Sequence, residues 1–552
     1  MNSKYIGKTP EEILSMLTLR QKISQLISTG IGCWDECEIC LKQGVGNISA
    51  VWGHNKEELE RFRQDIERLQ EEADIPYLVG VDMETGVGQT VHEKSIATEF
   101  AEQMTFGAIA DRQDAIRLAY EEGKVIAAEA SALGWNYTYG PVVDVNINPA
   151  NPITNIRSFG EKVETVAELS GAMIRGLQEG HRLLACAKHF PGAGMQAADS
   201  HFALERTKST REEMDATHLM AFRKAIENGV QSVMCNHAIY PMYDEQNVAT
   251  ISKAVMTGVL RDELGFKGIA ITDAMGMAGL TAQDTDNKHM GSIRAINAGC
   301  DILLGPWDAW NANEALEKAV RDGLLSEDRV NESALRVLKA KAWLGLFDGK
   351  KKQPLPRQDG WSLAREISKK SLTKVWDKTG LVPIQNKDTA KVLVLEPTHP
   401  GEKLKVGLYS NVTLIHGLLK NEIPTAELDL FEQEISEENR NRLLEKAKAF
   451  DVIIVGTSFR SRSGQVGLLT DSQIDLLRQM HEVNPNIIAV VSNPYVSAQL
   501  RFIDAILCCY STSQVAVEAA VNVLCGKVEA LGKLDVTIPE KIDTKVEIVS
   551  HG

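Results

Sequence analysis

Short apolar runs alternate with longer stretches of mixed apolar and charged residues through the first 306 positions of the chain. Seven of these runs have the length and aliphatic content of buried strands: 47–53, 76–82, 140–146, 183–190, 232–240, 268–274 and 301–306. Helical patterns lie between them, most clearly over 113–133, 161–179, 211–228 and 253–264. Continuous apolar strands separated by helices predict a parallel sheet that is covered on both faces.

The seven predicted strands are one fewer than the eight of a (β/α)8 barrel. We therefore expect an α/β fold with a barrel over residues 1–350, in which one strand is irregular or has no recognisable sequence. A helix start precedes these strands, because Thr9-Pro10-Glu11-Glu12 combines a capping threonine, an early proline and a capping-box glutamate. The apolar face after this start is predicted to contain Leu14, Leu17, Ile23, Leu26 and Ile27.

A charged, proline-bearing stretch without periodicity, GKKKQPLPRQDG, occupies residues 349–360 and indicates a domain edge. We predict a connecting segment over 351–372 and a second, smaller α/β layer domain over 373–552. The apolar runs that support this second domain are 391–396, 451–458, 486–492 and 504–510.

Composition and charge narrow the range of partners. Hydrophobic residues make up 43% and charged residues 24% of the 552 positions, which is typical of a globular protein. The formal charge of −15 disfavours nucleic-acid and anionic-membrane partners, because phosphate binding depends on Lys and Arg. The first residues lack a secretory pattern and the nine cysteines are irregularly spaced, so reduced thiols in a cytoplasmic protein are expected.

Polar side chains lie at the carboxyl ends of five predicted strands, where a barrel builds its active site. A single polar residue there often marks only the exit of the chain from the core, but five together favour a site. These residues are Asp82, Asp144, Lys188-His189, Asn236-His237 and Asp273.

Asp273 leaves the strand GIAITDA, where a rigid element positions a carboxylate to attack an electrophilic carbon. The alternative is an ordinary helix N-cap, a position that Asp often fills. Arg157 has two interpretations as well: it forks onto a substrate hydroxyl or carbonyl, or it pairs with Asp144.

The stretch AKHFPGAGMQAADSH, residues 187–201, joins a strand end to an acid and a histidine two positions apart. Asp199 and His201 both face inward if this segment is extended. A carboxylate on one imidazole nitrogen fixes the tautomer, so the pair suits acid–base catalysis; taken by itself, however, it is better explained as a hydrogen bond that only holds the loop together. The residues that let the backbone turn before the pair are Pro191, Gly192 and Gly194.

The motifs KHFPGAG…DSH, TDAMGM and NINPANPITNIRSFG, in this chain, resemble those of glycoside hydrolase family 3, and specifically its β-N-acetylglucosaminidase branch. The resemblance runs through nearly the whole chain. It implies a (β/α) barrel followed by an αβα sandwich, and a retaining, exo-acting enzyme that uses a covalent glycosyl-enzyme. It also implies Asp273 as nucleophile and His201 as proton donor partnered by Asp199, with no metal or cofactor. The implied substrate-binding residues are Asp82, Arg157, Lys188, His189 and His237.

Two departures leave the finer substrate choice open. Ala193 replaces the usual histidine of the loop, and the motif VDMETGVG keeps Asp82 and Glu84 but lacks an arginine. Some relatives with a histidine acid accept phosphate instead of water, because a neutral imidazole repels an anion less than a carboxylate does. A β-N-acetylglucosaminide phosphorylase and a β-glucosidase of the same family therefore remain alternatives.

Other readings belong to different classes. Cys33, Cys37 and Cys40 have a spacing that suits an iron–sulfur cluster of a radical enzyme, although helix-face thiols explain them too. A barrel that binds sugar without cleaving it is a further alternative. In the second domain, Arg460 and Arg462 either lean toward the barrel mouth, bind an anion or lie on the solvated surface.

Overall fold

The computed structural model describes residues 3–31, 34–50, 55–91, 97–283, 289–306, 308–309, 311–350, 355–356, 359–398, 414–457 and 467–542. Within these ranges, eight parallel strands form a closed ring in the first part of the chain. They are β1 (Ile27–Ile31), β2 (Asn47–Ala50), β3 (Leu78–Val81), β4 (Tyr137–Thr138), β5 (Cys186–Phe190), β6 (Ser232–Cys235), β7 (Ile269–Thr272) and β8 (Leu303–Leu304).

Neighbouring strands of the ring pair in chain order. Single bridges from Tyr137 to Leu184 and from Ile271 to Ile302 join β4 to β5 and β7 to β8. The pairing of β8 with β1 then closes the barrel. The predicted barrel fold is confirmed, and all the strands point their carboxyl ends to one face.

The strand that the sequence did not reveal is β1. A single helix was expected there, but Thr9 and Thr18 each form a capping box, so two short helices, Pro10–Met16 and Leu19–Ser24, precede β1. Ile27 therefore belongs to a strand, and the expectation of one continuous apolar helix face is wrong. The predicted strand at 140–146 is also wrong: only Val142 bridges to β5, and β4 lies just before it.

Helices cover the outside of the barrel, because their apolar faces pack on the strands. The α-helices are Pro10–Met16, Leu19–Ser24, Trp34–Gln43, Lys56–Glu72, Met104–Gly107, Arg112–Ala132, Val163–Gln178, Arg211–Ala216, His218–Glu227, Ala278–Thr281, Met290–Ala298, Ala312–Arg321 and Glu327–Trp343. A π-helix spans Ala254–Glu263. Short 3₁₀ turns occur at Ser3–Tyr5, Val87–Gln89, Asn155–Arg157, Glu179–His181 and Ala249–Ile251.

The second part of the chain is built on a six-stranded sheet, in the order β9-β14-β13-β12-β10-β11. Its antiparallel edge strand β9 was missed, as was β11, because charged residues interrupt both and neither contains a continuous aliphatic run. The strands are β9 (Thr373–Asp377), β10 (Val392–Pro397), β11 (Glu427–Phe431), β12 (Val452–Thr457), β13 (Ile487–Val491) and β14 (Ala505–Cys508). The accompanying helices are Gly360–Ser371, Leu414–Leu419, Glu437–Ala447, Asp471–Val483, Val496–Gln499 and Gln514–Leu524.

The two parts share a core. Met104, Ala108 and Ile156 of the barrel pack into the same apolar cluster as residues of the second sheet. The helix Gly360–Ser371 packs on both the barrel and the helix Gln514–Leu524. We propose a barrel domain at 1–350, a largely helical connecting segment at 351–372 and a sandwich domain at 373–552.

In the ranges that the structure describes, no helix is both long and apolar enough to cross a membrane. Arg460 and Arg462, the two arginines singled out in the second domain, lie outside the described residues.

Candidate active site

Strand β5 and the carboxyl end of β3 place Lys188 between the carboxylates of Asp82 and Glu84. Lys188 lies on β5, and its Nζ is 3.0 Å from Asp82 Oδ1 and 2.7 Å from Glu84 Oε1, both of which follow β3. Burial lowers the pKa of Lys188, but the charges of Asp82 and Glu84 outweigh it and raise the pKa above its ordinary value. The ammonium group therefore stays charged. Asp82, whose side chain is 31% exposed, is the more open of the two acids.

Arg157 completes this ionic cluster from the other side. Its Nε and Nη2 donate to the two carboxylate oxygens of Glu84 at 2.9 and 2.7 Å, a bidentate pair. The alternative in which Arg157 pairs with Asp144 is therefore wrong. Glu84 was not among the predicted site residues, although it stands in the VDMETGVG motif, and it holds the two cations in place.

Asp144 orients His189 and the loop after β5. Its Oδ2 lies 2.7 Å from His189 Nδ1, and its Oδ1 accepts from the Ala193 amide at 2.6 Å. Burial alone raises the pKa of Asp144, but the adjacent His189 and the amide hydrogen bonds outweigh it and lower the pKa. A carboxylate accepts only, so Nδ1 of His189 carries the proton and Nε2 points away from Asp144.

Asp273 follows β7 directly, as predicted, and it is not a helix cap. The next helix is Ala278–Thr281, whose N-cap is Met277. Asp273 Oδ1 instead accepts from the Ala274 amide at 2.7 Å. Burial alone raises the pKa of Asp273, but the imidazoles around it, those of His189, His237 and His201, outweigh it and lower the pKa, so the carboxylate is ionised at neutral pH.

Asp199 and His201 form the expected pair, but on a turn and not on an extended segment. The amides of Phe202 and Ala203 both donate to the Asp199 carbonyl at 3.0 Å, which closes the turn. Asp199 Oδ1 lies 2.7 Å from His201 Nδ1. Burial lowers the pKa of His201, but the hydrogen bond and charge of Asp199 outweigh it and raise the pKa. Nδ1 donates its hydrogen bond to Asp199, so Nε2 is available for proton transfer.

The turn with His201 lies against the segment after Asp273. The Gly279 amide donates to the Ser200 carbonyl at 2.9 Å, and the Ala278 amide approaches the His201 carbonyl at 3.4 Å. The charge of Asp273 also helps to raise the pKa of His201, after the larger contributions of burial and Asp199. The imidazole and the carboxylate therefore belong to one site.

Glu205 fastens the base of this loop and was not foreseen. Its carboxylate accepts from the amides of Ala198 at 3.0 Å and Ala197 at 3.4 Å. These two amides precede Asp199, and Glu205 follows His201, so the bonds close the loop around the pair. Nothing in the sequence pattern pointed to this contact, because the residue between Leu204 and Arg206 has no distinctive neighbours.

The glycines of the loop serve close packing as well as turning. A Cβ on Gly194 would lie 1.8 Å from the Val145 carbonyl oxygen, and one on Gly192 would lie 2.3 Å from His218 Cγ. Gly192 also has a φ of +143°, which disfavours other residues. The loop is therefore held against the Asp144 segment.

His237 has both ring nitrogens engaged by the protein. Nδ1 lies 2.6 Å from Thr250 Oγ1, and Nε2 lies 3.1 Å from the carbonyl oxygen of Ala274. Burial lowers the pKa of His237. This geometry suits support of the Asp273 segment better than the direct sugar contact that the family resemblance implied.

Two of the three thiols considered for an iron–sulfur cluster lie in the described residues, and both are buried. Cys37 and Cys40 lie on the helix Trp34–Gln43 and are both buried in the barrel core, and burial raises the pKa of Cys40. Cys33 lies outside the described residues. Within the described ranges, no group of three or more His, Cys, Asp or Glu side chains is placed to hold a metal ion.

A closed parallel barrel with carboxylates and imidazoles gathered at the carboxyl ends of its strands is typical of barrel enzymes. The model of the glycosyl hydrolase family 3 N terminal domain matches residues 18–340, and that of the family 3 C-terminal domain matches residues 377–550. The chain belongs to glycosyl hydrolase family 3, which confirms the resemblance seen in its motifs.

Individual relatives are similar over parts of the chain. A beta-N-acetylglucosaminidase/beta-glucosidase of Cellulomonas fimi is 33% identical over 361 residues, which are 62% of either chain. A beta-hexosaminidase of Methylobacillus flagellatus is 34% identical over 231 residues, which cover 42% of this chain and 64% of the relative. The chain thus spans less than two thirds of the length of these relatives.

Solved structures are similar over nearly the whole chain. A glycoside hydrolase family 3 beta-N-acetylglucosaminidase from Paenibacillus sp. str. FPU-7 superposes with a TM-score of 0.83 at 28% identity, over 96% of this chain and 100% of that one. A beta-glucoside phosphorylase superposes with a TM-score of 0.81 at 27% identity, over 96% and 95% of the two chains.

Proposed function

We propose that this protein is a retaining, exo-acting β-N-acetylglucosaminidase that hydrolyses terminal N-acetylglucosaminides through a covalent glycosyl-Asp273 intermediate. The observation that carries the proposal is the Asp199–His201 pair, held on a turn that is hydrogen-bonded to the segment after Asp273. An ionised carboxylate and a protonated imidazole at one site are the two groups that such a reaction needs.

The reaction proceeds in two balanced steps. Asp273 attacks the anomeric carbon while His201 Nε2–H gives its proton to the leaving oxygen, so the C–O bond breaks and a glycosyl ester forms. Water then attacks the same carbon, His201 takes the proton from water, and Asp273 leaves as a carboxylate. Asp199 stabilises the imidazolium before the first step and after the second.

The remaining predicted residues suit a single terminal sugar. Asp82 has an open carboxylate that accepts from sugar hydroxyls; Lys188 contacts both Asp82 and Glu84, and Arg157 pairs with Glu84. His189 Nε2 is turned away from Asp144 and supplies a further polar contact. The names of the Cellulomonas fimi and Methylobacillus flagellatus relatives and of the Paenibacillus structure support an N-acetylhexosaminide substrate.

Two alternatives within the family have specific support. The superposition with a beta-glucoside phosphorylase favours phosphate as acceptor, since a neutral imidazole after the first step admits an anion. The name of the Cellulomonas fimi relative includes beta-glucosidase, which favours a glucoside donor. A barrel that binds sugar without cleaving it is the alternative from another class.

One substrate panel separates these functions. Aryl β-N-acetylglucosaminide and aryl β-glucoside are each assayed with and without inorganic phosphate, and the sugar products are identified. We expect N-acetylglucosamine as the main product, with a rate that phosphate leaves unchanged. Sugar 1-phosphate as product would assign a phosphorylase, faster glucoside cleavage a glucosidase, and no cleavage of either donor would refute an enzyme of this type.

The proposed compartment is the cytoplasm. The observation that supports it is the set of buried thiols that are not joined in disulfides, among them Cys186, Cys235, Cys300 and Cys508. Fractionation of cells that express the untagged chain tests this location.

A further inference from the structure

Phe202 is a large apolar side chain that the fold leaves in water. Its side chain is 64% exposed, more than any other large hydrophobic residue in the described ranges. Single exposed apolar residues are common on protein surfaces, so exposure alone does not indicate a role. The position of this one, directly after His201, distinguishes it from the others.

The backbone of Phe202 is fixed while its ring is open. Its amide donates to the Asp199 carbonyl at 3.0 Å, in the same turn whose carboxylate holds His201. The phenyl and imidazole centroids are 6.2 Å apart with an interplanar angle of 45°. The two rings are therefore carried by one turn, which is itself closed at its base by Glu205.

The proposed reaction determines which part of a substrate lies near this ring. A general acid must reach the oxygen of the bond that breaks, so His201 lies on the side of the leaving group. Phe202, one residue further along the turn and adjacent to the imidazole, then borders the leaving group and not the terminal sugar that Asp273 attacks. A pyranose presents an apolar face of C–H groups, which an exposed aromatic ring covers well.

We propose that Phe202 forms a leaving-group subsite, in which its ring binds the face of a second pyranose. This inference rests on the proposed function and adds the chemical class of the leaving group. Because acid and ring share one turn, a stacked second sugar also brings its bridging oxygen toward His201 Nε2. The contact therefore favours glycan substrates over glycosides of small alcohols.

Two substrates that both require an acid test this subsite. The first is N,N′-diacetylchitobiose, whose leaving group is a pyranose, and the second is methyl β-N-acetylglucosaminide, whose leaving group has no ring. The full chain is compared with Phe202→Ala and Phe202→Tyr. Leu324→Ala is the matched control, because Leu324 is 51% exposed and lies on the connection between two outer barrel helices.

We expect Phe202→Ala to lower kcat/KM for the disaccharide about tenfold relative to the methyl glycoside, and Phe202→Tyr to restore most of the ratio. The pH profile on the methyl glycoside stays unchanged, which separates loss of a contact from damage to His201. Equal losses on both substrates, or no loss on either, overturn the subsite. A wild-type chain that cleaves neither substrate refutes the proposed function itself, and so the two failures are distinguishable.

Discussion

The two reacting side chains have pKa values that are shifted in opposite directions. Burial tends to neutralise both, but the imidazoles around Asp273 lower the pKa of that acid, while Asp199 raises the pKa of His201. Both shifts favour the charged forms, the carboxylate of Asp273 and the imidazolium of His201. These shifts suit the proposed roles of Asp273 as nucleophile and His201 as acid.

The substitution Asp199→Asn tests the source of the His201 shift. The amide oxygen still accepts from Nδ1–H, but the charge is lost, so burial dominates and the pKa of His201 falls. Activity needs protonated His201 and disappears as the pH rises through its pKa. The alkaline limb of kcat/KM for an unactivated substrate should therefore move to lower pH.

The matched control for this experiment is Asp215→Asn, an exposed acid of the helix Arg211–Ala216 that pairs with Arg211. It should leave both limbs of the profile in place. An unchanged alkaline limb in Asp199→Asn would mean that another group is the acid.

Residue spacing predicted part of this site and missed the rest. Asp273 and the Asp199–His201 pair were recognisable because each stands in a short motif. Glu84 and Glu205 were not proposed, because their importance comes from contacts: Glu84 meets Arg157 across 73 positions. Neither of the two interpretations of Arg157 therefore included its pairing with Glu84.

At the scale of elements, a closed loop carries His201, the proposed acid. Glu205 accepts from two amides that precede Asp199. The turn that begins at Asp199 is hydrogen-bonded to the segment following Asp273. The loop thus has fixed ends around an open His201.

Glu205→Ala tests this fastening. The part-buried amide of Ala198 and the exposed amide of Ala197 lose their acceptor, the former at a cost of about 1–3 kcal/mol, and the turn loses a defined position. We expect kcat for an unactivated glycoside to fall about tenfold with little change for an activated aryl glycoside, because only the former depends on the acid. Glu205→Gln, which keeps one acceptor, should lie between wild type and Glu205→Ala. Equal losses on both glycosides would show a general defect instead.

Element prediction failed where local signals conflicted with the barrel. The strand β1, ISTGI, is half polar and contains glycine, so no aliphatic run marked it. At 140–146 an apolar run exists and residues 140–143 hydrogen-bond to β5, but only Val142 forms a bridge, so this run is not a regular strand. In both places the observed structure depends on pairing with strands that are distant in the sequence, which the local pattern does not reveal.

At the scale of the whole molecule, the barrel depends on the sandwich. Met104, Ala108 and Ile156 contribute to the core of the second sheet, and Asn146 Nδ2 donates to Tyr495 Oη at 3.2 Å. Asn146 lies two residues after Asp144, so this bond joins the second domain to the site.

A chain that ends at residue 350 tests the dependence. It exposes the apolar side chains of Met104, Ala108 and Ile156, so we expect aggregation or a much lower thermal midpoint than that of the full chain. Tyr495→Phe in the full chain removes only the hydrogen bond from Asn146. It should therefore have a smaller effect, a loss of about 0.5–1.5 kcal/mol in the free energy of unfolding. A truncated barrel with the full-length midpoint would show that the domains are independent.

The covalent step on Asp273 is tested most directly by trapping. The protein is treated with a fluorinated N-acetylglucosaminyl donor that slows hydrolysis of the intermediate, and the labelled tryptic peptides are sequenced by mass spectrometry. The predicted result is one added sugar on Asp273, in the peptide that begins after Lys267, and no label in Asp273→Asn. A sugar on a different side chain, or turnover of the donor with an unlabelled protein at every time point, would contradict the account.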